Sequence, residues 1–441
     1  MNKKLLPSEY LTAASALFSM HFGASCMLYP LTWGKETGSA FGLAYIGVLI
    51  SGVILPLLAY LALSKGKGDL ITLTKRTSPR FALVFCSIVA MVIGPLYVVP
   101  RISAAAWEAI ARITNTRLDS SISIAFSAAY HLILYWFVAK RNKIVDRIGK
   151  ILFPILLCFI ALIICKGLIT PINEVRPQPT CEIHPILYGF FEGYEPGDLL
   201  CALFFGMVIV QSIKDKLPDS ESMNSTVLKV AMLGCGLIAI IHLGHMMVGS
   251  TIGNTIDLTY SQLYAETATT LWGPVGGIFF SIALLTASLT SGAGLTAAST
   301  EYWGTVLKEK FYYERIALIS VIASFLISIL GFNRIVVYIG PILDVCYPAT
   351  TVLVIYYVAV KKWGDPERLN GLLWAMIAAI ILGLLESINF YCSLTMRMGW
   401  YCKLYSFLPL AKQGFTWAPA SFAVYNLRVQ YLKRKSATKL G

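Results

Sequence analysis

Charged residues are scarce in this chain, and their scarcity excludes the commonest class of protein. Only 13% of its 441 residues are Asp, Glu, Lys or Arg, against about 25% in a typical soluble domain. That leaves too little polar surface for a soluble globule of this length. The apolar residues form runs near the ~20 residues that span a bilayer as a helix, without the alternation typical of barrel strands. The sequence therefore predicts an all-α integral membrane protein.

Motifs for nucleotide or metal chemistry are also lacking. The chain has no G-x-x-x-x-G-K-[S/T] loop, no metalloprotease motif and no Cys/His cluster. This argues against an ATP-driven pump and against a membrane enzyme, so we expect no catalytic residue, no cofactor and no metal site. Most of the ten cysteines lie in or near apolar runs, where cysteine packs as a small residue. One disulfide stays an open alternative among the three cysteines in predicted outer loops, Cys181, Cys392 and Cys402.

Twelve apolar runs predict twelve transmembrane helices in one transporter domain covering 1–441. The first run follows Lys3 and Lys4 and resembles a signal peptide, but it is too long for one, so we expect an uncleaved helix. Helices 1–5 occupy about 9–170, helices 6–10 about 198–360, and helices 11–12 about 371–431. The predicted spans are 9–31, 41–63, 81–100, 121–139, 151–170, 198–213, 229–249, 273–299, 315–332, 335–360, 371–391 and 414–431.

The basic residues predict the orientation of these helices. The net charge is +13, but Lys and Arg are spread over short loops rather than gathered on one face, which argues against a nucleic-acid partner. The loops on the side of the N-terminus hold 26 of the 36 Lys and Arg residues. Because basic loops stay in the cytoplasm, we expect a multi-pass protein of the cytoplasmic membrane with both termini inside. We expect its helices to be surrounded by membrane lipid, and the sequence leaves the oligomeric state open.

Two of the predicted helices carry small residues in mid-span. Helix 1 contains Gly23-Ala24-Ser25, and the short helix 6 contains Phe204-Phe205-Gly206. Paired interrupted helices at matching places in two halves are the best sequence indication of a transport site, since unwound backbone can hold ions and carboxylates. Helices 1 and 6 would start the two halves of a five-plus-five repeat. The alternative in helix 1 is close helix packing through small residues, and in helix 6 it is simple core packing.

Several polar side chains in the predicted spans are further candidates. Helix 8 contains Thr290 and Ser291, whose hydroxyl oxygens suit a hard cation such as Na⁺; alternatively, they bond back to their own helix. Arg101, at the outer end of helix 3, faces a vestibule or anchors the helix end. An ionisable residue in a span is a functional candidate by default, although a lone histidine is more often a packing residue. The remaining candidates are Asp344, Glu386, His21, His131, His242 and His245.

A series of motifs along nearly the whole chain resembles the branched-chain amino acid:cation symporter family. The third-helix motif runs from Gly94-Pro95-Leu96-Tyr97 through Pro100-Arg101 to Trp107-Glu108. None of the motifs is specific alone, but together and in this order they are. The others are Gly23-Ala24 with Pro30, Phe205 to Val210, Gly294-Leu295-Thr296, Tyr347-Pro348, and Leu408-Pro409-Leu410-Ala411 with Gln413-Gly414.

The resemblance implies a Na⁺-coupled importer of leucine, isoleucine and valine in a bacterial inner membrane, with the five-plus-five inverted repeat of the LeuT type plus two C-terminal helices. It implies substrate binding by the backbone of Gly23, Ala24 and Ser25, and a side-chain pocket walled by the helix-6 break at Phe204, Phe205 and Gly206. The implied Na⁺ ligands come from Ala287, Thr290 and Ser291, with a helix-1 carbonyl near Phe22.

The chain departs from the family pattern at two places. Gly23-Ala24-Ser25-Cys26 stands where Gly-Ala-Gly-Asn is usual, which removes one oxygen ligand, and Asp344 stands where an uncharged residue is expected. Both departures leave the coupling ion open. The alternative is proton-coupled transport of another amino acid, with Asp344 as the proton-binding or gating residue. A channel is a third alternative, which would not accumulate its substrate.

Overall fold

The computed structural model describes residues 6–65, 68–114, 116–118, 121–214, 220–253, 258–308, 310–362, 364–396 and 398–438. Within these ranges every regular element is helical. The α-helices are α1 Pro7–His21, α2 Ala24–Thr37, α3 Phe41–Val48, α4 Leu55–Lys65, α5 Leu70–Lys75, α6 Pro79–Met91, α7 Val98–Ile113, α8 Ser121–Val138, α9 Ile144–Arg147, α10 Phe153–Ile169, α11 Pro185–Tyr194, α12 Asp198–Lys214, α13 Ser220–Ser250, α14 Tyr260–Trp272, α15 Pro274–Val306, α16 Tyr313–Ser328, α17 Phe332–Ile339, α18 Pro341–Ala359, α19 Pro366–Leu394, α20 Gly399–Tyr405 and α21 Trp417–Ala437.

Some of these helices join into longer stretches through π-helical turns at Leu49–Ile54, Val92–Leu96 and Ile148–Leu152. In the described residues, eight stretches are long and apolar enough to cross a bilayer, and two bent helix pairs raise the number to ten. The pairs are α11 with α12, bent by 47°, and α16 with α17, bent by 104°. The prediction of a multi-helix membrane protein is confirmed. The exact count of twelve and the repeat pattern stay predictions.

Contacts within the chain divide it into two units. The first comprises Met1–Tyr60 and Ile93–Ile335, and it holds the predicted site residues of helices 1, 6 and 8. The second comprises Leu61–Val92 and Val336–Gly441. In the second unit α19 packs between α18 and α21, and Gly383 lets the backbone of α19 lie against the carbonyl of Asp344.

The backbones of α2 and α13 are in close contact in the first unit. A Cβ atom on Gly34 would overlap the carbonyl oxygen of Met246, and one on Gly249 would overlap that of Leu31. Glycine at these two positions therefore lets the helices meet backbone to backbone, as small residues do in membrane helix pairs. Trp33 of α2 is buried in the core beside this contact.

Candidate transport site

The first helix is broken where the small residues predict a break. It ends at His21, and α2 begins at Ala24. Between them, Phe22 has φ −75° and ψ 73°, and Gly23 is extended with φ −84° and ψ −170°. A helix end leaves carbonyl groups without partners within the helix, and a helix start leaves N–H groups. The break therefore presents both kinds of backbone group, with Ala24 and Ser25 in the first turn of α2.

Helix α15 lies directly against this break. The hydroxyl of Ser291 donates a hydrogen bond to the carbonyl of Met20, with 2.6 Å between the oxygens. A Cβ atom at Gly23 would lie 2.8 Å from the Ser291 Oγ, so glycine is needed for this approach. The predicted neighbours Ala287 and Thr290 are fully buried on α15. The Thr290 hydroxyl donates to the carbonyl of Ala287 at 2.8 Å, which is the alternative that the sequence left open for it.

The predicted break at Phe204, Phe205 and Gly206 is wrong in position. These residues lie inside α12, which is helical from Asp198 to Lys214. The break precedes them, between α11 and α12, where Gly197 has φ +78°. Gly206 has helical neighbours on both sides and stays within the helix. Gly197 instead adopts a positive φ, which ends a helix and which glycine tolerates with little strain. The Pro196-Gly197 pair is a turn signal that could have located the break.

Phe205 nevertheless lies near the helix-1 break. Its ring centroid is 5.8 Å from that of His21. A Cβ atom added to Gly294 of α15 would lie 2.9 Å from the Cδ1 atom of Phe205. Phe204, Phe205 and Phe22 are all fully buried, and Phe22 stacks on Phe18 with 5.2 Å between ring centroids. The structure thus brings residues of helices 1, 6 and 8 together, although α12 is unbroken at this level.

A cavity of about 700 Å³ opens onto the start of α2. Its volume is within the range of small-molecule sites. Ala24 and Ser25 form part of its lining, so the first N–H groups of α2 are near its surface. The other lining residues that matter here are Leu28, Tyr29, Arg101, Ile102, Glu108 and Tyr260.

Arg101 supplies a positive charge to this cavity. Its guanidinium lies over the ring of Tyr97, 4.9 Å from the centroid, and its Nη1 donates to the Tyr97 hydroxyl at 3.1 Å. Of the two alternatives that the sequence left, the structure selects the vestibule wall. A fixed guanidinium and the N-terminus of α2 both favour an anion in this cavity.

Two tyrosines form an aromatic part of the cavity wall. Tyr29 of α2 and Tyr260 of α14 stack with 4.3 Å between ring centroids. Burial raises the pKa of the Tyr260 hydroxyl, and the nearby carboxylates of Glu195 and Glu192 raise it further. The phenol therefore stays neutral at any physiological pH. This wall offers a flat apolar surface with hydroxyl groups at its edge.

Three of the four buried histidines, His21, His131 and His245, are bonded to neighbouring hydroxyls. His21 Nδ1 lies 3.1 Å from the Tyr60 hydroxyl, and His245 Nε2 lies 2.7 Å from that of Tyr264. His131 contacts Ser324 at 3.0 Å. His242 packs edge-on against Trp33, with 5.8 Å between ring centroids.

Asp344 and Glu386 lie in the second unit, whereas the helix-1 break lies in the first. Asp344 is exposed in the first turn of α18. Its predicted proton-binding or gating role stays a prediction. All ten cysteines lie in the described residues as free thiols, so the alternative of a disulfide involving Cys181, Cys392 or Cys402 is not realised.

Comparison with known proteins identifies the family. The chain belongs to the family described as "Branched-chain amino acid transport protein", whose model matches residues 7–434. It is 27% identical over 429 residues to the branched-chain amino acid permease BrnQ of Lactobacillus delbrueckii subsp. lactis, covering 95% of each chain. It is 28% identical over 344 residues to the branched-chain amino acid permease BraB of Bacillus subtilis (strain 168), covering 77% of each. These names indicate a membrane transporter rather than an enzyme.

Solved structures identify the fold. The crystal structure of MhsT in complex with L-phenylalanine matches with a TM-score of 0.53 and 15% identity, covering 87% of this chain and 99% of that one. A Na⁺-coupled sialic acid symporter in a substrate-bound outward-open state matches with a TM-score of 0.58 and 14% identity, covering 96% and 90%. Likeness at this identity shows the fold alone, and that fold is the LeuT type expected from the sequence.

Proposed function

We propose that this chain is a symporter that imports leucine, isoleucine and valine across the bacterial cytoplasmic membrane, with Na⁺ as the coupling ion and both termini in the cytoplasm. The family and the permeases named above support the substrate class. The excess of Lys and Arg on the loops of one side supports the orientation. The observation that carries the proposal is the hydrogen bond from Ser291 to the carbonyl of Met20 at the helix-1 break.

The substrate binds with its charged groups on the break and its side chain in an apolar pocket. Its carboxylate lies at the first N–H groups of α2, from Ala24 and Ser25, with Arg101 attracting it into the cavity. Its ammonium group meets carbonyls at the end of α1. Phe205 walls the pocket, together with Phe204 and Gly206. Because one methylene changes such binding by only ~1–3 kcal/mol, discrimination among leucine, isoleucine and valine is weak.

The coupling ion binds between α1 and α15. Ser291 is already at the break, and Thr290 joins it by turning its hydroxyl away from the carbonyl of Ala287. The carbonyls of Ala287 and Phe22 complete the set of oxygen ligands. Because the ion and the substrate both bind at the break of helix 1, each increases the affinity for the other. Alternating access then moves both across the membrane.

The test is uptake of labelled leucine into proteoliposomes under an inward Na⁺ gradient, a proton gradient, or neither. We expect accumulation with the Na⁺ gradient and a weakened Na⁺ response in Ser291→Ala and Thr290→Ala. Ser406→Ala is the matched control, since among the described residues this exposed hydroxyl bonds only to the carbonyl of Lys403 at its own helix end. Accumulation driven by protons alone would refute Na⁺ coupling. No accumulation under any gradient would refute the substrate.

A further inference from the structure

A buried carboxylate connects the two broken helices. Asp198 is the first residue of α12, just after the break, and it is only 5% exposed. The thiol of Cys26 in α2 donates to its Oδ2, with 3.2 Å between sulfur and oxygen. The same sulfur lies 3.3 Å from the carbonyl oxygen of His21, the last residue of α1. One thiol thus contacts the end of α1 and the start of α12.

The groups around Asp198 are mostly neutral. Electrostatic interactions reach it from Cys201 on its own helix, Cys235 on α13, Tyr60 on α4 and Arg101 on α7. Among the described residues no lysine or arginine forms an ion pair with its carboxylate. A charged carboxylate buried in this way is costly unless a cation neutralises it.

The surroundings favour a proton over a metal cation as that partner. Hard cations need several oxygen ligands, whereas the nearest groups here include the sulfur atoms of three cysteines. Within the described residues no three His, Cys, Asp or Glu side chains are arranged to hold a metal ion. A proton needs one oxygen lone pair, and the carboxylate supplies it.

We propose that Asp198 binds and releases one proton in the transport cycle, in addition to the cation held at α15. The inference rests on the proposed function for the cycle, but the protonation itself does not. Protonation forms an O–H bond on the carboxylate and removes its negative charge. The Cys26 thiol then loses its stronger acceptor and bonds the carbonyl of His21 alone. The protonation state of Asp198 thus determines whether the Cys26 thiol bonds to the start of α12 or to the end of α1.

Infrared difference spectroscopy of the reconstituted protein tests the protonation directly. We expect a pH-dependent band in the C=O stretching region of protonated carboxylic acids that is lost in Asp198→Asn and shifted in Asp198→Glu. Asp146→Asn is the control, because that half-exposed carboxylate pairs with Lys150 at 3.1 Å and should not change the band. If Asp198→Asn does not fold, the band shift in Asp198→Glu decides the assignment. A spectrum identical in wild type and Asp198→Glu overturns the proposal.

A second readout tests coupling to transport. A pH dye inside the liposomes should report acidification when leucine is added outside, and Asp198→Asn should lose the acidification while still exchanging labelled leucine. Leucine uptake without acidification overturns the proton coupling and leaves the proposed function standing. The Asp198 band without any leucine uptake refutes the proposed function and supports the proton site.

Discussion

The breaks in helices 1 and 6 are made in different ways. The break at Phe22–Gly23 has no left-handed residue, and it is held open by a neighbouring helix through the contact of Ser291 with Met20. The break before α12 is local: Pro196 is followed by Gly197 at φ +78°. The first break therefore depends on tertiary packing and the second on backbone conformation. Variants at the two places should consequently fail in different ways.

The largest effect is expected at the packed break. Gly23→Ala places a Cβ atom 2.8 Å from the Ser291 hydroxyl oxygen, so this hydroxyl has to turn away from Met20 or α15 has to move away from α1. Overpacking of this kind costs about 1–3 kcal/mol, and it should abolish most leucine uptake. Gly236→Ala is the control, because a Cβ atom there meets nothing within 4 Å. Thermal unfolding and uptake are measured together; equal uptake by the two variants would contradict the packing argument.

A second, smaller effect is expected from the charge beside the first break. Arg101→Gln keeps a side chain over Tyr97 but removes the positive charge from the cavity. A charge-assisted hydrogen bond contributes roughly 1.5–3 kcal/mol, so the KM for leucine should rise about ten-fold or more, with less change in kcat. Arg101→Lys should recover part of this loss. Equal KM values for Arg101→Gln and wild type would show that the substrate carboxylate does not use this charge.

A variant at the local break before α12 should mainly lower the stability of the protein. Gly197→Ala forces an L-residue into the left-handed region at a cost of roughly 1–2 kcal/mol. Gly273→Ala is the control for backbone strain, since Gly273 also has a positive φ, +64°, with open space around its Cβ position. Both variants should lower the unfolding temperature, and only Gly197→Ala should also slow uptake, by several-fold. Slowed uptake in both variants would mean that backbone strain limits transport wherever it lies, and not specifically at the break before α12.

The smallest effect is expected at Tyr260, which stacks on α2 and interacts with Glu195 at the other break. Because its pKa is raised, the phenol is neutral well beyond pH 8, and Tyr260→Phe keeps the stack on Tyr29. Uptake by Tyr260→Phe should follow the wild-type pH profile through pH 8 within about two-fold. Tyr260→Ala, which removes the stack on Tyr29, should lose more of the uptake than Tyr260→Phe does. A profile that diverges between pH 7 and 8 would show that the hydroxyl ionises.

The sequence allowed the first break to be predicted because Gly23-Ala24-Ser25 interrupts an apolar run. The second was misplaced because Gly206 is the conspicuous small residue inside the predicted helix 6, whereas Pro196 and Gly197 fell in a predicted loop. Periodicity also gives the depth of a side chain but not its partners, so Arg101 was left with two roles. Asp198 stood at the edge of a predicted span and resembled a solvated helix end. Its burial is a result of tertiary packing.

Under the proposed Na⁺ coupling, the hydrogen bond between Ser291 and Met20 also affects how the ion binds and leaves. A hydroxyl group can donate its hydrogen to a carbonyl and offer its oxygen lone pairs to a cation at the same time, so the ion does not have to break this bond. The bond already holds the Ser291 oxygen at the helix-1 break before the ion arrives, which reduces the conformational entropy lost on binding. When the ion leaves, the Met20 carbonyl keeps its partner, so the site empties without leaving that buried carbonyl unpaired. Ser291 would thus be a preorganised ligand.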